Sequence, residues 1–411
     1  MRNQGGQALP VSESEAVSAI ALLPNNSWLK TFVVHGSLQT TSPLVYHIGV
    51  GLAMLGVTCP LPYGTHYAGS LRANNFVLLV GRSGEDRKST ALNIGRDVLF
   101  EAAADLIGDF PGSAEGLIES LAAQESQFIP ISEFGKFLSS AQRGYYEPIK
   151  TLLADAWDCL PQQRAKAARQ GQRVVIRADN PRLSIGAACS IPYLEKHTLA
   201  EDWTGGFMGR WLVFFGKRER TMANPVPDMT YYQQLVDGLR QRATAQSAGW
   251  CTGLDPMAML RWEDWYTEVC NRSLPDNIVG IRARAPTLAR KIALVLGWDY
   301  GAARNNAPWQ MGLDILEPAI AITELHIKSL VSLAEVIAEH PDARLRRSII
   351  RAIDVRGGQA SLGQILGRLK MKKRPVMEMM ESLLEEGRVK RLRTSDGYVF
   401  ELQGSVSATA S

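Results

Sequence analysis

Cysteine is scarce in this chain. Cys59, Cys159, Cys189, Cys251 and Cys270 stand far apart, odd in number, with no Cys-x-x-Cys pair and no Cys/His cluster. Such spacing supports neither a zinc site nor a disulfide framework, and reduced thiols in a cytoplasmic protein are the expectation. Long hydrophobic runs are missing too. The most apolar stretch, residues 44–59, lies between Pro43 and Pro60 and is interrupted by His47 and several glycines. It is shorter than the roughly 20 residues a membrane span needs. A buried helix is expected there, with His47 in the core or on the helix surface, and no membrane partner. The opening MRNQGGQALPVSESEA has no apolar core behind Arg2, so no signal peptide is expected. Internal repeats and low-complexity tracts are also lacking.

Neither sign of charge dominates the whole: 45 Lys/Arg stand against 41 Asp/Glu, a net +4. The balance hides an asymmetry, because residues 342–411 hold 14 Lys/Arg and 8 Asp/Glu. A basic C-terminal module on a near-neutral body points to nucleic acid as its partner. With 411 residues, 45% hydrophobic and 21% charged, the chain reads as an ordinary globular protein of two or three domains.

Residues 76–92, FVLLVGRSGEDRKSTAL, carry the sharpest signal. An apolar strand runs into a glycine-bearing turn and then Lys88-Ser89-Thr90, where the pattern turns helical. A strand, a loop and a helix N-terminus in that order can wrap the phosphates of a nucleoside triphosphate in backbone N–H groups. The lysine then neutralises β/γ charge and the next hydroxyl holds Mg²⁺. The expected contacts come from Gly81, Ser83, Gly84, Glu85, Asp86, Arg87, Lys88, Ser89 and Thr90, with ATP as ligand. The spacing is unusual: six residues separate Gly81 from Lys88, and Arg87 stands where a second glycine is usual.

About forty residues on, FIPISEFGKFL is an apolar strand ending in a carboxylate. Glu133 is the candidate to polarise an attacking water. Ser132, in the place of an aspartate, orders a metal-bound water without adding charge. The next apolar strand, LSIGAAC, ends at Ser190, a candidate partner of the γ-phosphate or the water. Between them, residues 163–177 hold Arg164, Lys166, Arg169, Arg173 and Arg177, either a loop facing nucleic acid or a solvated charged helix and turn. Arg210, presented by glycines before the strand WLVFF, is placed to reach a neighbour's nucleotide, or else to pair with a local carboxylate. Arg282 or Arg284, ahead of the helix PTLARKIALVL, could meet the γ-phosphate from a helical lid.

The organisation expected is a flexible arm (1–27), an α/β core with N-terminal helices (28–220), a helical lid (228–340) whose last long helix spans 318–339, a module at 344–402 and a disordered tail (403–411). The module reads as a winged helix. A first helix stops at Gly357-Gly358, and a second is capped by Ser361. A third starts at Pro375 and closes at Gly387, followed by a hairpin about Asp396-Gly397. Lys370, Lys372, Lys373 and Arg374 before its last helix, with Lys390, Arg391 and Arg393 in the hairpin, are the expected DNA contacts.

The ordered set GRSGEDRKST, PGSAEGLIESLA, ISEFGKFL, LSIGAACS, GGFMGRWLVFF and RARAPTLARKIALVL resembles P-loop proteins of phages and mobile elements. These are in turn similar to the minichromosome-maintenance-like branch of AAA+ ATPases. The resemblance covers roughly residues 28–340. It implies Walker A at 81–89, Walker B at Ser132-Glu133, sensor 1 at Ser190, an arginine finger at Arg210 and sensor 2 at Arg282 or Arg284. It implies an α/β fold with an AAA+ core, helical lid and winged helix. The implied activity is that of an ATP-dependent DNA motor, a helicase or helicase-like ATPase, working as a homo-oligomeric ring on single- or double-stranded DNA. Two other readings stay open: an ATP switch that loads a helicase or regulates transposition, and a winged-helix regulator with a vestigial loop.

Overall fold

Four apolar segments, each buried along most of its length, build one parallel sheet in the computed structural model of the chain. From edge to edge the strands are Ser126–Ile131, Arg182–Ser190, Phe76–Gly81 and Trp211–Phe215. Such a sheet is covered on both faces, so its strands read as continuous hydrophobic runs, which made them legible. The register sets Gly81 beside Ser190 and Ile131 beside Ala187. Three strand ends therefore open on the same edge. The structure describes residues 9–402 except 62, 68, 142–147, 168–172, 205, 226–227, 247, 276–277, 302–306, 339–340 and 395–396. The whole is a mixed α/β fold, divided into units Met1–Glu335 and Val336–Ser411.

Helix Leu44–Val57 is buried at every residue. Its glycines let the sheet approach: a Cβ at Gly49 would press into Phe214 and Val77. Among the described residues no helix is long and apolar enough to cross a membrane. His47 lies wholly in the core with its Nε2 2.8 Å from Ser42 Oγ.

Several expectations are corrected. Within the supposed arm, Glu13–Ala21 is a helix with a reciprocal Ser12/Glu15 capping box. Val11 N donates to Phe215 O at 3.0 Å, and Ala16, Ala19, Ile20 and Leu23 are buried; residues 1–8 lie outside the described part. In its described part the basic segment 163–177 is two antiparallel strands, Gln162–Ala167 and Arg173–Ala178, rather than a helix; residues 168–172 lie outside the described part. The β-branched run Val174-Val175-Ile176 favours that pairing; Arg169 lies outside the described residues. The lid region is not wholly helical, since Cys251–Leu254 and Trp309–Met311 join Thr65–His66 and Ser70–Leu71 in a second sheet. The last long helix of this region is Leu313–Ala338. It begins ahead of Pro318 because Ile315 N and Leu316 N already bond to Gly312 O. Helix Val279–Tyr300 likewise takes in Arg282, Arg284 and Pro286; the proline forgoes the bond its own N–H would make and crowds the carbonyl four residues back, a cost the packing of this buried helix must outweigh.

The second unit runs helix Pro341–Asp354, strand Gln359–Ser361, helix Leu362–Leu369, helix Lys373–Glu385, then strands Val389–Thr394 and Gly397–Leu402. Strand Gly397–Leu402 lies between the other two. Ile349, Ile353, Ile365, Val376, Met380, Leu383 and Phe400 are among the residues of its core. Ser361 caps its helix with a full capping box to Gln364. The helix expected from Pro375 starts at Lys373, since a proline in the first turn has no intrahelical N–H bond to lose. Asp396 of the hairpin and residues 403–411 lie outside the described part.

Candidate functional site

A cleft of about 350 Å³ opens where strands Phe76–Gly81, Ser126–Ile131 and Arg182–Ser190 end. In parallel α/β sheets this carboxyl edge is where ligands bind. Ser83, Gly84, Arg87, Lys88, Ser89 and Thr90 line one side. Helix Lys88–Ala103 starts here, and its N-cap residue Arg87 makes no side-chain cap bond. The first-turn N–H groups thus point at the cleft without a side chain to satisfy them, an arrangement suited to an anion.

Arg87 has φ 52 and Gly84 φ 72. The position that favours glycine is occupied by an arginine in the left-handed region, at a cost of about 1–2 kcal/mol. Lys88 is mostly buried, and its ammonium donates to Gly81 O at 3.0 Å and Arg82 O at 2.8 Å. Burial pulls its pKa below the ordinary lysine value, against the pull of Asp86.

Glu85 and Asp86 do not face the cleft. Glu85 pairs with Arg82. Asp86, 1% exposed, accepts from Arg82 N at 2.6 Å, from the Arg82 guanidinium at 2.7 and 3.2 Å, and from Arg218 N at 3.1 Å. Burial opposes its ionisation, but these bonds hold its carboxyl below the usual range. Gly81 lies behind the loop, where a Cβ would run into the Tyr46 hydroxyl and Asp86.

Across the cleft stand Ser132 and Glu133, both exposed, then Gly135 and Lys136. Glu133 is ion-paired with Lys136 one helical turn on. Between the two walls come Cys189, Ser190 and Tyr193. Ser190 begins helix Ile191–His197 without a side-chain cap bond, so its hydroxyl is not spent there. Sequence reasoning missed Arg82, Lys136 and Tyr193. The i,i+4 pair Arg82/Asp86 and the i,i+3 pair Glu133/Lys136 were visible as opposite charges at helical spacing.

The three candidate arginines are not brought here within one chain. Trp211 pairs with Phe76, so Arg210, just before it, sits at the opposite edge of the sheet. Arg210 bonds Asp158 at 2.8 Å and Gly206 O at 3.1 Å, 5.7 Å from the Trp157 ring. Gly205 lies outside the described residues. Arg284 lies 5.9 Å from that same ring, its pKa lowered by burial and then by Arg210. Arg282 donates to Arg272 O at 3.2 Å and borders a separate hollow with Tyr67 and Tyr266.

In the second unit, Lys370 has φ 49 at the end of helix Leu362–Leu369, and Lys372, Lys373 and Arg374 open the next helix, all exposed. Arg374 bonds Glu378 at 2.9 Å. The hairpin cations do not form one patch. Arg391 and Arg393 share a strand face, with Arg391 over Tyr398 and Phe400. Lys390 points to the other face opposite Glu401.

No protein-family model matches the chain, and no curated protein matches it either.

Proposed function

We propose that the chain is a P-loop ATPase of AAA+ type that acts on DNA, with ATP in the cleft and a C-terminal winged helix on the nucleic acid. The observation that carries this reading is the uncapped N-terminus of helix Lys88–Ala103, lying behind a loop whose Lys88 ammonium faces the same opening. The first-turn N–H groups take phosphate oxygens, and Lys88 exchanges the carbonyls of Gly81 and Arg82 for β/γ-phosphate charge. Glu133, across the intervening strand, accepts the proton of an attacking water. The donor set of Ser89 and Ser132 hydroxyls with one nearby carboxylate suits a hydrated Mg²⁺. That ion would be held by Ser89, and through water by Ser132, and would offset phosphate charge.

The C-terminal module supplies three helices and a three-stranded sheet ending in a hairpin, with Lys372, Lys373 and Arg374 at a helix start, where phosphates are favoured. The strand pair Gln162–Ala167 and Arg173–Ala178 adds Arg177 and the uncovered Val174 and Val175 on the body. Arg210 reaches a second subunit's nucleotide only by leaving Asp158, so ring assembly and that exchange go together.

A second reading, an ATP switch without unwinding, is favoured by one observation. Glu133 is engaged by Lys136, and Ser132 brings no charge, which suits binding better than turnover. The deciding experiment measures ATP binding and hydrolysis with and without single- and double-stranded DNA, alongside native mass. DNA-stimulated hydrolysis in a ring supports the motor. Binding without turnover supports the switch. No nucleotide binding leaves only the DNA-binding regulator.

A further inference from the structure

The loop departs from the usual pattern by an added residue and by Arg87 in place of glycine, and Asp86 is the group that offsets both. Its two carboxylate oxygens each accept two bonds. Oδ2 takes Arg82 N and Nε, while Oδ1 takes Arg82 Nη2 and Arg218 N. The segment 82–86 is thereby closed into a ring at its base, with a further backbone contact from Asp86 N to Arg82 O at 3.5 Å. Ser83 and Gly84 are left at the tip, and after Asp86 the chain rejoins the cleft wall at Arg87 and Lys88.

We propose that Asp86 is a positioning residue for phosphate: its carboxylate clamps residues 82 and 218, and the clamp aims the first-turn N–H groups of helix Lys88–Ala103. This rests on the nucleotide reading given above. A non-glycine residue in the left-handed region persists only where its flanks are fixed. Arg87 has Asp86 anchored before it and Lys88 bonded after it. Without the clamp Arg87 relaxes toward commoner backbone angles, and the N–H groups of residues 88–90 no longer converge.

The clamp also has an electrostatic side. A buried carboxylate close to a polyphosphate weakens binding unless a cation cancels it, and Arg82 is that cation. Arg82 therefore matters more in the presence of Asp86 than in its absence. In fold stability a buried pair shows the same order, so the order counts only in the ATP affinity of folded variants, where a purely structural role would not produce it.

The test is isothermal titration of the full-length chain with ATP and Mg²⁺, at a temperature where circular dichroism shows each variant folded. Asp86→Ala is expected to weaken ATP by about 10-fold, and Arg82→Ala, which strands the carboxylate, by about 100-fold, with the double variant near the Asp86→Ala value. Asp86→Asn does not rescue, since its amide N–H₂ would face donors. Additive losses in the double variant, or Asp86→Ala binding as tightly as the parent, overturn the proposal while leaving the nucleotide reading intact. A parent chain that binds no ATP overturns both. Arg82 is partly exposed, so its variant keeps the test decisive where Asp86→Ala does not fold.

Discussion

Asp86 and Lys88 hold the same residue from two sides. The carboxylate takes the N–H and guanidinium of Arg82, and the ammonium takes its carbonyl. Arg87, between them, is thereby kept in the left-handed region. Lys88 closes the loop on itself, and under the nucleotide reading a polyphosphate would displace that contact.

Lys88 is the one lysine in the loop wall of the cleft. Lys88→Ala should abolish measurable ATP binding while the circular dichroism spectrum stays that of the parent. Calorimetry showing undiminished binding would remove the phosphate-loop assignment.

Glu133→Gln keeps the side-chain shape and loses the charge. ATP should still bind, and turnover should fall about 100-fold or more. Lys136→Ala, which frees Glu133 from its partner, is expected to leave turnover equal or higher. Unchanged turnover in Glu133→Gln would place the catalytic carboxylate elsewhere.

Two core histidines set an acid limit on stability. Burial pulls His47 down to about 3 and His326 to about 4. His326 Nδ1 accepts Val213 N–H at 2.9 Å, which requires the neutral ring. Both values are depressed from the unfolded value near 6.5, so their stabilisation is complete above it and lost as pH falls toward 4 and 3. Each costs about 1.4 kcal/mol by about pH 5.5. Urea unfolding from neutral to mildly acid pH should show that slope, reduced in His326→Gln. A flat stability over that range would mean the rings are protonated in the folded chain.

What was legible followed local rules. The strands of the parallel sheet announced themselves because burial on both faces makes them near-continuous apolar runs, with Ser126, Gln127 and Ser184 the buried polar exceptions. Ser361 spelled out a cap, and Lys88-Ser89 a helix start. What was not legible depends on partners distant in sequence or on unfavourable backbone. Arg210 meets Asp158, 52 residues away. Asp299 bonds Ser27 Oγ and the N–H groups of Trp28 and Leu29, closing a helix start 271 residues from it, and also binds Arg242. A two-residue strand such as Thr65–His66 carries no periodicity to read. The left-handed Arg87 contradicts residue preference outright, so only its anchored neighbours explain it.

Arg210 tests assembly. If it serves a neighbour's nucleotide, Arg210→Ala subunits should be inactive alone yet lend a working loop, and mixing them with Lys88→Ala subunits should restore some hydrolysis. Absence of rescue at every ratio, with assembly verified, would leave Arg210 as the partner of Asp158 alone.

The second unit should carry most of the duplex affinity, and its cations should contribute unequally. Lys372 and Lys373 open a helix whose N-terminus already favours phosphate, and neither has an ion-pair partner among the described residues. Arg374 is shared with Glu378, and Lys390 faces Glu401 across the hairpin, so each brings less free charge. Replacing both Lys372 and Lys373 by alanine should flatten the slope of log affinity against log salt by about 2 for duplex DNA, since each phosphate no longer neutralised keeps its counterion. Lys390→Ala should change it by much less. ATP binding in these variants should match the parent, because the cleft is built from residues of the first unit. Identical salt slopes for the parent and the Lys372/Lys373 variant would mean that this helix packs on protein. The strand pair Gln162–Ala167 and Arg173–Ala178, whose exposed Arg177 is itself ion-paired with Asp179, would then be the leading candidate for DNA contact.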